Sequence, residues 1–197
     1  MLDRFTNSSG LLCVVSGPSG VGKDCVLDAL ISEAKGIAKC VTATTRDPRP
    51  GEQNGIDYIF LSSDKFLRMV SNGDFLENAE VHGNLYGTPK AEVSKITSQG
   101  LDVILKIDVQ GGISVRASVP HAILIFILPP SVEELERRLR GRGTDSEESV
   151  QCRLHNAQNE LSLAKEYDYV VVNNTIPGAV KDIEAILSAE HHRVQKT

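Results

Sequence analysis

The chain has 197 residues, 41% of them hydrophobic and 24% charged, with a formal net charge of −5. This is the composition of an ordinary globular protein with enough apolar residues for a substantial core. With mild acidity and no long basic run, neither a nucleic-acid backbone nor an acidic membrane surface is an obvious partner, and no apolar stretch is long enough to be a transmembrane helix.

The opening MLDRFTNSSG lacks the apolar run of a signal peptide, so a cytosolic protein, or a mature organellar one, is expected. Leu11 to Ser16 (LLCVVS) is a short apolar run that ends at a glycine-rich turn, the pattern of a buried parallel strand. Beyond the turn, Val26, Leu27, Leu30 and Ile31 recur at helical spacing. Residues 42 to 89 then depart from a simple strand and helix alternation. They carry turn-rich DPRPGEQNGIDY, SNGD and HGNLYGTP around short strand-like pieces and one helix, Asp64 to Asn72. A small inserted α+β lobe is predicted there.

DVILKI (Asp102 to Ile107), AILIFIL (Ala122 to Leu128) and YVVVN (Tyr169 to Asn173) are the next predicted strands. After the second of these, Ser131 can cap a helix with Glu134 reaching back in a capping box, and Leu135 and Leu139 mark its buried face. A further helix from about Glu148 places Val150, Leu154 and Leu161 on one side, and a last one from about Ala179 carries Val180, Ile183 and Leu187. Between the first two of these helices lies GRGTDSEES, Gly141 to Ser149, polar and glycine-hinged, with the character of a mobile lid. The fold expected is α/β: a mainly parallel sheet flanked by helices, with core 10–41 and 90–194, an inserted lobe 42–89 and a lid at about 141–149. Four cysteines (Cys13, Cys25, Cys40, Cys152) without CxxC spacing suit reduced thiols better than disulfides or a zinc site.

GPSGVGKDC, Gly17 to Cys25, joins the first strand to the first helix. The pattern Gly17-x-x-x-x-Gly22-Lys23 places Gly17, Pro18, Ser19, Gly20, Val21 and Gly22 around phosphates, its glycines letting successive backbone N–H groups, all but that of Pro18, point inward. The helix start adds positive potential, and Lys23 reaches the terminal phosphates. Asp24 stands where such loops carry Ser or Thr. Its carboxylate either ligates Mg²⁺, directly or through water, or caps the helix and points away.

Further stretches, SGPSGVGK, TTRDPRPGEQNGIDY, GNLYGTP, IDVQG, PPSVEELERRLRGRGT and AKEYDYVVVN, make the chain resemble the guanylate kinases from about Gly10 to His191. The resemblance implies a P-loop NTPase-type core with a GMP-binding lobe and a lid, and transfer of a phosphoryl group from ATP, with Mg²⁺, to GMP or dGMP. It also assigns residues. Arg46, Arg49, Tyr58 and Tyr86 match the grip on the GMP phosphate, a task suited to arginine forks. Glu77 matches the acceptor for the N1–H and N2–H₂ edge that guanine has and adenine lacks, with Glu80 as its local rival. Thr42, Thr88 and Asp108 match the remaining base contacts. Lys23, Arg138, Arg142 and Arg153 match the cations that close over ATP and steady the transferring phosphate. No general base is required, because the attacking phosphate oxygen is already anionic. His82, the histidine nearest this lobe's site residues, reads as a surface or packing residue.

A second departure is Lys106, where many guanylate kinases carry an acid; it either leans toward a phosphate or offsets Asp24. Related ribose 1,5-bisphosphate phosphokinases often have Asp after the loop lysine, but Thr42, Glu77, Tyr86 and Asp108 together argue for a complete guanine pocket. Peptide-binding guanylate kinase-like scaffolds generally lose loop glycines or lysine, and this chain keeps Gly17, Gly20, Gly22 and Lys23. ATP and GMP or dGMP are the expected ligands, with neither nucleic acid nor membrane, and a second copy of the chain is the one protein partner in view.

Overall fold

The computed structural model describes residues 9–81, 83–141 and 147–194. Its first strand, β1 (Leu12–Ser16), is buried along its whole length and leads through the glycine-rich loop into α1 (Lys23–Glu33). Then come β2 (Ile37–Lys39), β3 (Ala43–Thr44), β4 (Ile59–Phe60), α2 (Ser63–Ser71), β5 (Phe75–Val81), β6 (Asn84–Pro89) and α3 (Lys90–Thr97). The chain continues with β7 (Asp102–Lys106), α4 (Val109–Ser118), β8 (Ile123–Leu128), α5 (Val132–Arg140) and α6 (Glu147–Ser162). A short 3₁₀ turn, β9 (Tyr169–Val172) and α7 (Ile176–His191) complete the described elements.

Five strands form one sheet in the order β2-β7-β1-β8-β9, and every pairing in it is parallel. This is the α/β architecture expected from the sequence. Period-two alternation divides its side chains between two cores. Cys13, Val15, Ile104, Ile125 and Ile127 pack with Val26, Leu27 and Leu30 of α1 and Val180, Ile183 and Leu187 of α7. Leu12, Val14, Leu105, Leu124 and Phe126 face the other way, against Val93 of α3, Val115 of α4 and Tyr167. Burial on both faces is why β1 and β8 are unbroken apolar runs. The four remaining strands make a second sheet, β4-β3-β6-β5, over Ala43, Phe66 and Phe75, with the two phenylalanine rings stacked at 4.6 Å.

Three elements escape the sequence pattern. β2 is a three-residue edge strand, too short for a periodic signal. α3 is eight residues long and buries only Val93. α4 is sequence-poor for a helix, with Gly111 and Gly112 in its first turn. It forms because Asp108 caps it, accepting from Gly111 N–H at 2.7 Å, and because a glycine at 112 lets the helix close on Tyr167.

Two expectations need correction. The last helix begins at Ile176, three residues before Ala179, because Thr175 accepts from Gly178 N–H at 3.2 Å and Pro177 sits in the first turn, where its missing N–H is harmless. Ser131 does cap α5, accepting from Glu134 N–H at 3.2 Å, but the Glu134 carboxylate does not return to close a capping box. It is taken by Arg137 and Arg138 instead, at 2.7 Å each. A fork and a second guanidinium outcompete one backbone N–H. Of the lid stretch, residues 142–146 lie outside the described residues, Arg142 among them, and so does His82.

Candidate functional site

Ligands of open parallel sheets bind beyond the carboxyl ends of the strands, and there β1 delivers the glycine-rich loop. The loop wraps the start of α1: Val21 N–H reaches Pro18 O at 3.3 Å, and Gly22 is the helix N-cap with no side-chain cap. Gly20 has φ +88°, and a Cβ there would lie 2.6 Å from Leu139 Cδ2. A Gly20→Ala substitution is therefore expected to lower stability by about 1–3 kcal/mol, from left-handed strain and displacement of Leu139, as read by urea denaturation. Unchanged stability would mean that the loop does not hold this conformation in solution.

Lys23 folds back over the loop, donating to Gly17 O at 2.5 Å and Pro18 O at 3.1 Å. Burial pushes its pKa below the ordinary lysine value, and the nearby charges of Glu160, Asp24 and Asp108 oppose that shift while Lys106 adds to it. Two predicted arginines converge on the same loop. Arg138 donates to Val21 O and Asn173 O at 3.1 Å each, while its Nε is held by Glu134. Arg153, from α6, donates to Ser19 Oγ at 2.7 Å. The pair of arginines beside Glu134 holds that carboxyl at about 2, Arg137 contributing more than Arg138.

Asp24 pairs with Lys106 at the C-terminal end of β7, so the two departures from the expected loop pattern meet as an ion pair across 82 residues. The reading in which Lys106 offsets Asp24 is the one this geometry supports. Asp24 is an oxygen donor with 65% of its side chain exposed at the first turn of α1, which suits Mg²⁺, a cation that takes one or two carboxylates plus phosphate oxygens. No group of three or more His, Cys, Asp or Glu among the described residues could form a protein-only metal cage.

The second sheet gathers the other predicted residues. Glu77, on β5, is 8% exposed and accepts from Thr88 Oγ1 of β6 at 2.6 Å. Burial raises its pKa above the usual carboxylate value, the Asp108 charge adds to this, and the Thr88 bonds work against it. Thr42 precedes Ala43, which pairs with Gly87, the neighbour of Thr88. Glu80, the rival acid, is exposed on the same strand. Asp108 uses one oxygen as the cap of α4, and its charge bears on both Lys23 and Glu77. Ser16 Oγ, at the end of β1 just before the glycine-rich loop, donates to the Asp108 backbone carbonyl at 3.2 Å.

Arg46 lies with its guanidinium carbon 5.4 Å from the Tyr58 ring centroid, and the Tyr58 and Tyr86 rings meet edge to face at 6.1 Å. One guanidinium nitrogen, Nη2, donates to both Glu52 carboxylate oxygens, at 2.8 and 2.9 Å, while Nη1 donates to Asp47 O at 2.6 Å, and Glu52 also accepts from the Arg49 backbone N–H at 2.7 Å. That carboxylate bridges the Arg46 guanidinium and the Arg49 backbone. It was missed from sequence, although it lies three residues after Arg49 in a stretch already dense with site residues. Glu160 and Asn173 were missed as well. Asn173 is buried and donates to Val21 O at 2.8 Å, which fixes the loop from β9. Glu160 faces Lys23 from α6, accepts a backbone N–H of Ser19, and is pushed above the usual carboxylate range by burial.

The arrangement combines a phosphate loop with its lysine, two arginines on that loop, and a second arginine and tyrosine cluster near a buried carboxylate. Comparison with known proteins agrees with it. The guanylate kinase family model matches residues 9–190. The guanylate kinase of Clostridium perfringens strain SM101 is 46% identical over 190 residues, covering 96% of this chain and 88% of its own length. That of Fusobacterium nucleatum is 51% identical over 180 residues, covering 91% of this chain and 97% of its own. The crystal structure of guanylate kinase from Anaplasma phagocytophilum superposes with a TM-score of 0.75 at 37% identity, over 96% of this chain and 90% of that one. With the family matched from the strand before the phosphate loop into the last helix, this chain belongs to the guanylate kinase family.

Proposed function

We propose that this kinase transfers the γ-phosphoryl group of ATP to GMP, and to dGMP, giving the diphosphate in purine nucleotide metabolism and GMP recycling in the cytoplasm. The observation that carries the acceptor assignment is Glu77, a mostly buried carboxylate that accepts from Thr88 Oγ1 at 2.6 Å. Burying a charge is costly unless something binds it. Guanine supplies two donors on one edge; adenine presents none in that pattern and would leave the carboxylate unsatisfied. Thr42, Thr88 and Asp108 complete the base pocket in this reading.

Arg46 and Arg49 receive the GMP phosphate, with Tyr58 and Tyr86 beside them. The incoming dianion displaces the Glu52 carboxylate from Arg46 Nη2, exchanging a singly charged anion for one of higher charge. On the donor side Gly17, Pro18, Ser19, Gly20, Val21 and Gly22 cradle the ATP phosphates. Lys23 leaves the loop carbonyls for the β- and γ-phosphates, and Arg138, Arg142 and Arg153 neutralise charge on the group in transit. Mg²⁺ supplies further charge neutralisation when bound with ATP, and Asp24 is the residue that would hold it.

Purified protein with ATP, Mg²⁺ and each of four nucleoside monophosphates tests the reading. GDP should form, with AMP at least ~10²-fold poorer in kcat/KM. No GDP from a folded protein, or AMP used as well as GMP, would overturn it.

A further inference from the structure

The Asp24–Lys106 pair sits at the mouth of the phosphate loop. Asp24 is in the first turn of α1, directly after Lys23, and Lys106 ends β7 in parallel register with Val15 of β1, two residues before Gly17. Both charges bear on Lys23, Asp24 favouring its protonated form and Lys106 opposing it. They also line a small recess between α1 and the sheet, whose other charged groups are Asp28, one turn further along α1, and Lys39 of β2. A carboxylate next to the loop lysine has two attractive cations within reach. Held by Lys106, it stays to the β7 side. Released, it can turn to Lys23, occupy the amine that phosphates need, and add a negative charge where they bind.

We infer that Lys106 is a positioning residue of the donor site, which restrains the Asp24 carboxylate and so keeps Lys23 available to phosphate. The inference rests on the reading of this loop as the ATP site and goes beyond it. It explains why two departures at distant positions leave a usable loop: the carboxylate introduced at one is neutralised and tethered by the amine introduced at the other. Lys106 touches no substrate in this role; it acts through Asp24.

The test is ATP affinity by calorimetry without Mg²⁺, in a cycle of Lys106→Met, Asp24→Ser and the double variant, with Lys106→Arg as the conservative exchange. Lys106→Met should weaken ATP binding about tenfold with Asp24 present, but no more than about twofold in the Asp24→Ser background. Lys106→Arg should retain most of the affinity. Equal losses in both backgrounds would show Lys106 acting on phosphate directly and overturn the inference, as would no loss in either. A parent protein that fails to bind ATP sinks the donor-site reading itself, whereas a parent that binds with an uncoupled cycle sinks only the role of Lys106. Both side chains are well exposed, 38% and 65%, so folding of the variants is expected, and melting curves check it.

Discussion

Lys23→Met should reduce kcat about 10²- to 10⁴-fold, ~3–5 kcal/mol of transition-state stabilisation, with a smaller rise in the KM for ATP. Phosphoryl transfer moves charge more than it rearranges bonds, so a cation that follows the γ-phosphoryl group contributes most at the transition state. Methionine preserves the length and apolar stem and removes only the ammonium. The same change removes the donor to Gly17 O and Pro18 O, which costs the empty protein about 1–3 kcal/mol of stability. These effects separate in measurement. Stability is read by denaturation without nucleotide, and kcat at saturating ATP well below the melting temperature. A kcat within tenfold of the parent would remove Lys23 from the transfer step and leave it a loop-closing residue.

The parts of this site that lie next to each other in the chain were legible in the sequence, and the parts assembled across it were not. β1, its loop and α1 are contiguous, and a strand buried on both faces writes an apolar run that ends where the glycines begin. Asp24 and Lys106 each stood out as departures, but spacing alone left open whether the lysine faced phosphate or Asp24, since 82 residues separate them and only strand register brings them together. α4 stayed hidden because two glycines and buried neighbours on several sides remove the polar and apolar alternation that marks a surface helix. The missing capping box has the same origin. Glu134 has the right position, yet Arg138 is aimed at the phosphate loop and recruits that carboxylate in passing. Glu52 was overlooked because an acid among proposed phosphate ligands looks incompatible with their task until it is seen bridging Arg46 and Arg49.

Glu77→Gln should abolish most discrimination for guanine, lowering kcat/KM for GMP by about 10²- to 10³-fold with little change for AMP. Glutamine is nearly isosteric but offers one acceptor and a donor where guanine presents two donors, so one contact becomes a clash of like partners. The stability change runs the other way. Burial raises the folded-state pKa of Glu77 above its unfolded value, so the native state holds this proton more tightly than the unfolded chain does. Stability from this group is therefore fully present at low pH and is lost as pH rises from the ordinary carboxylate value through the raised one. The parent carries that loss at neutral pH, and the glutamine variant, with no charge to bury, should be as stable or more stable there, with the pH dependence of this window removed. GMP affinity of the parent should show the mirror image, weakening as pH falls through the raised pKa, because only the ionised carboxylate accepts from both guanine donors. Guanine selectivity that survives the exchange would transfer the role to another acceptor, Glu80 or Asp108. A variant markedly less stable than the parent at neutral pH would instead make Glu77 a structural carboxylate held for Thr88. A gain in stability with a loss of selectivity is the combination expected of a charge kept buried for its ligand.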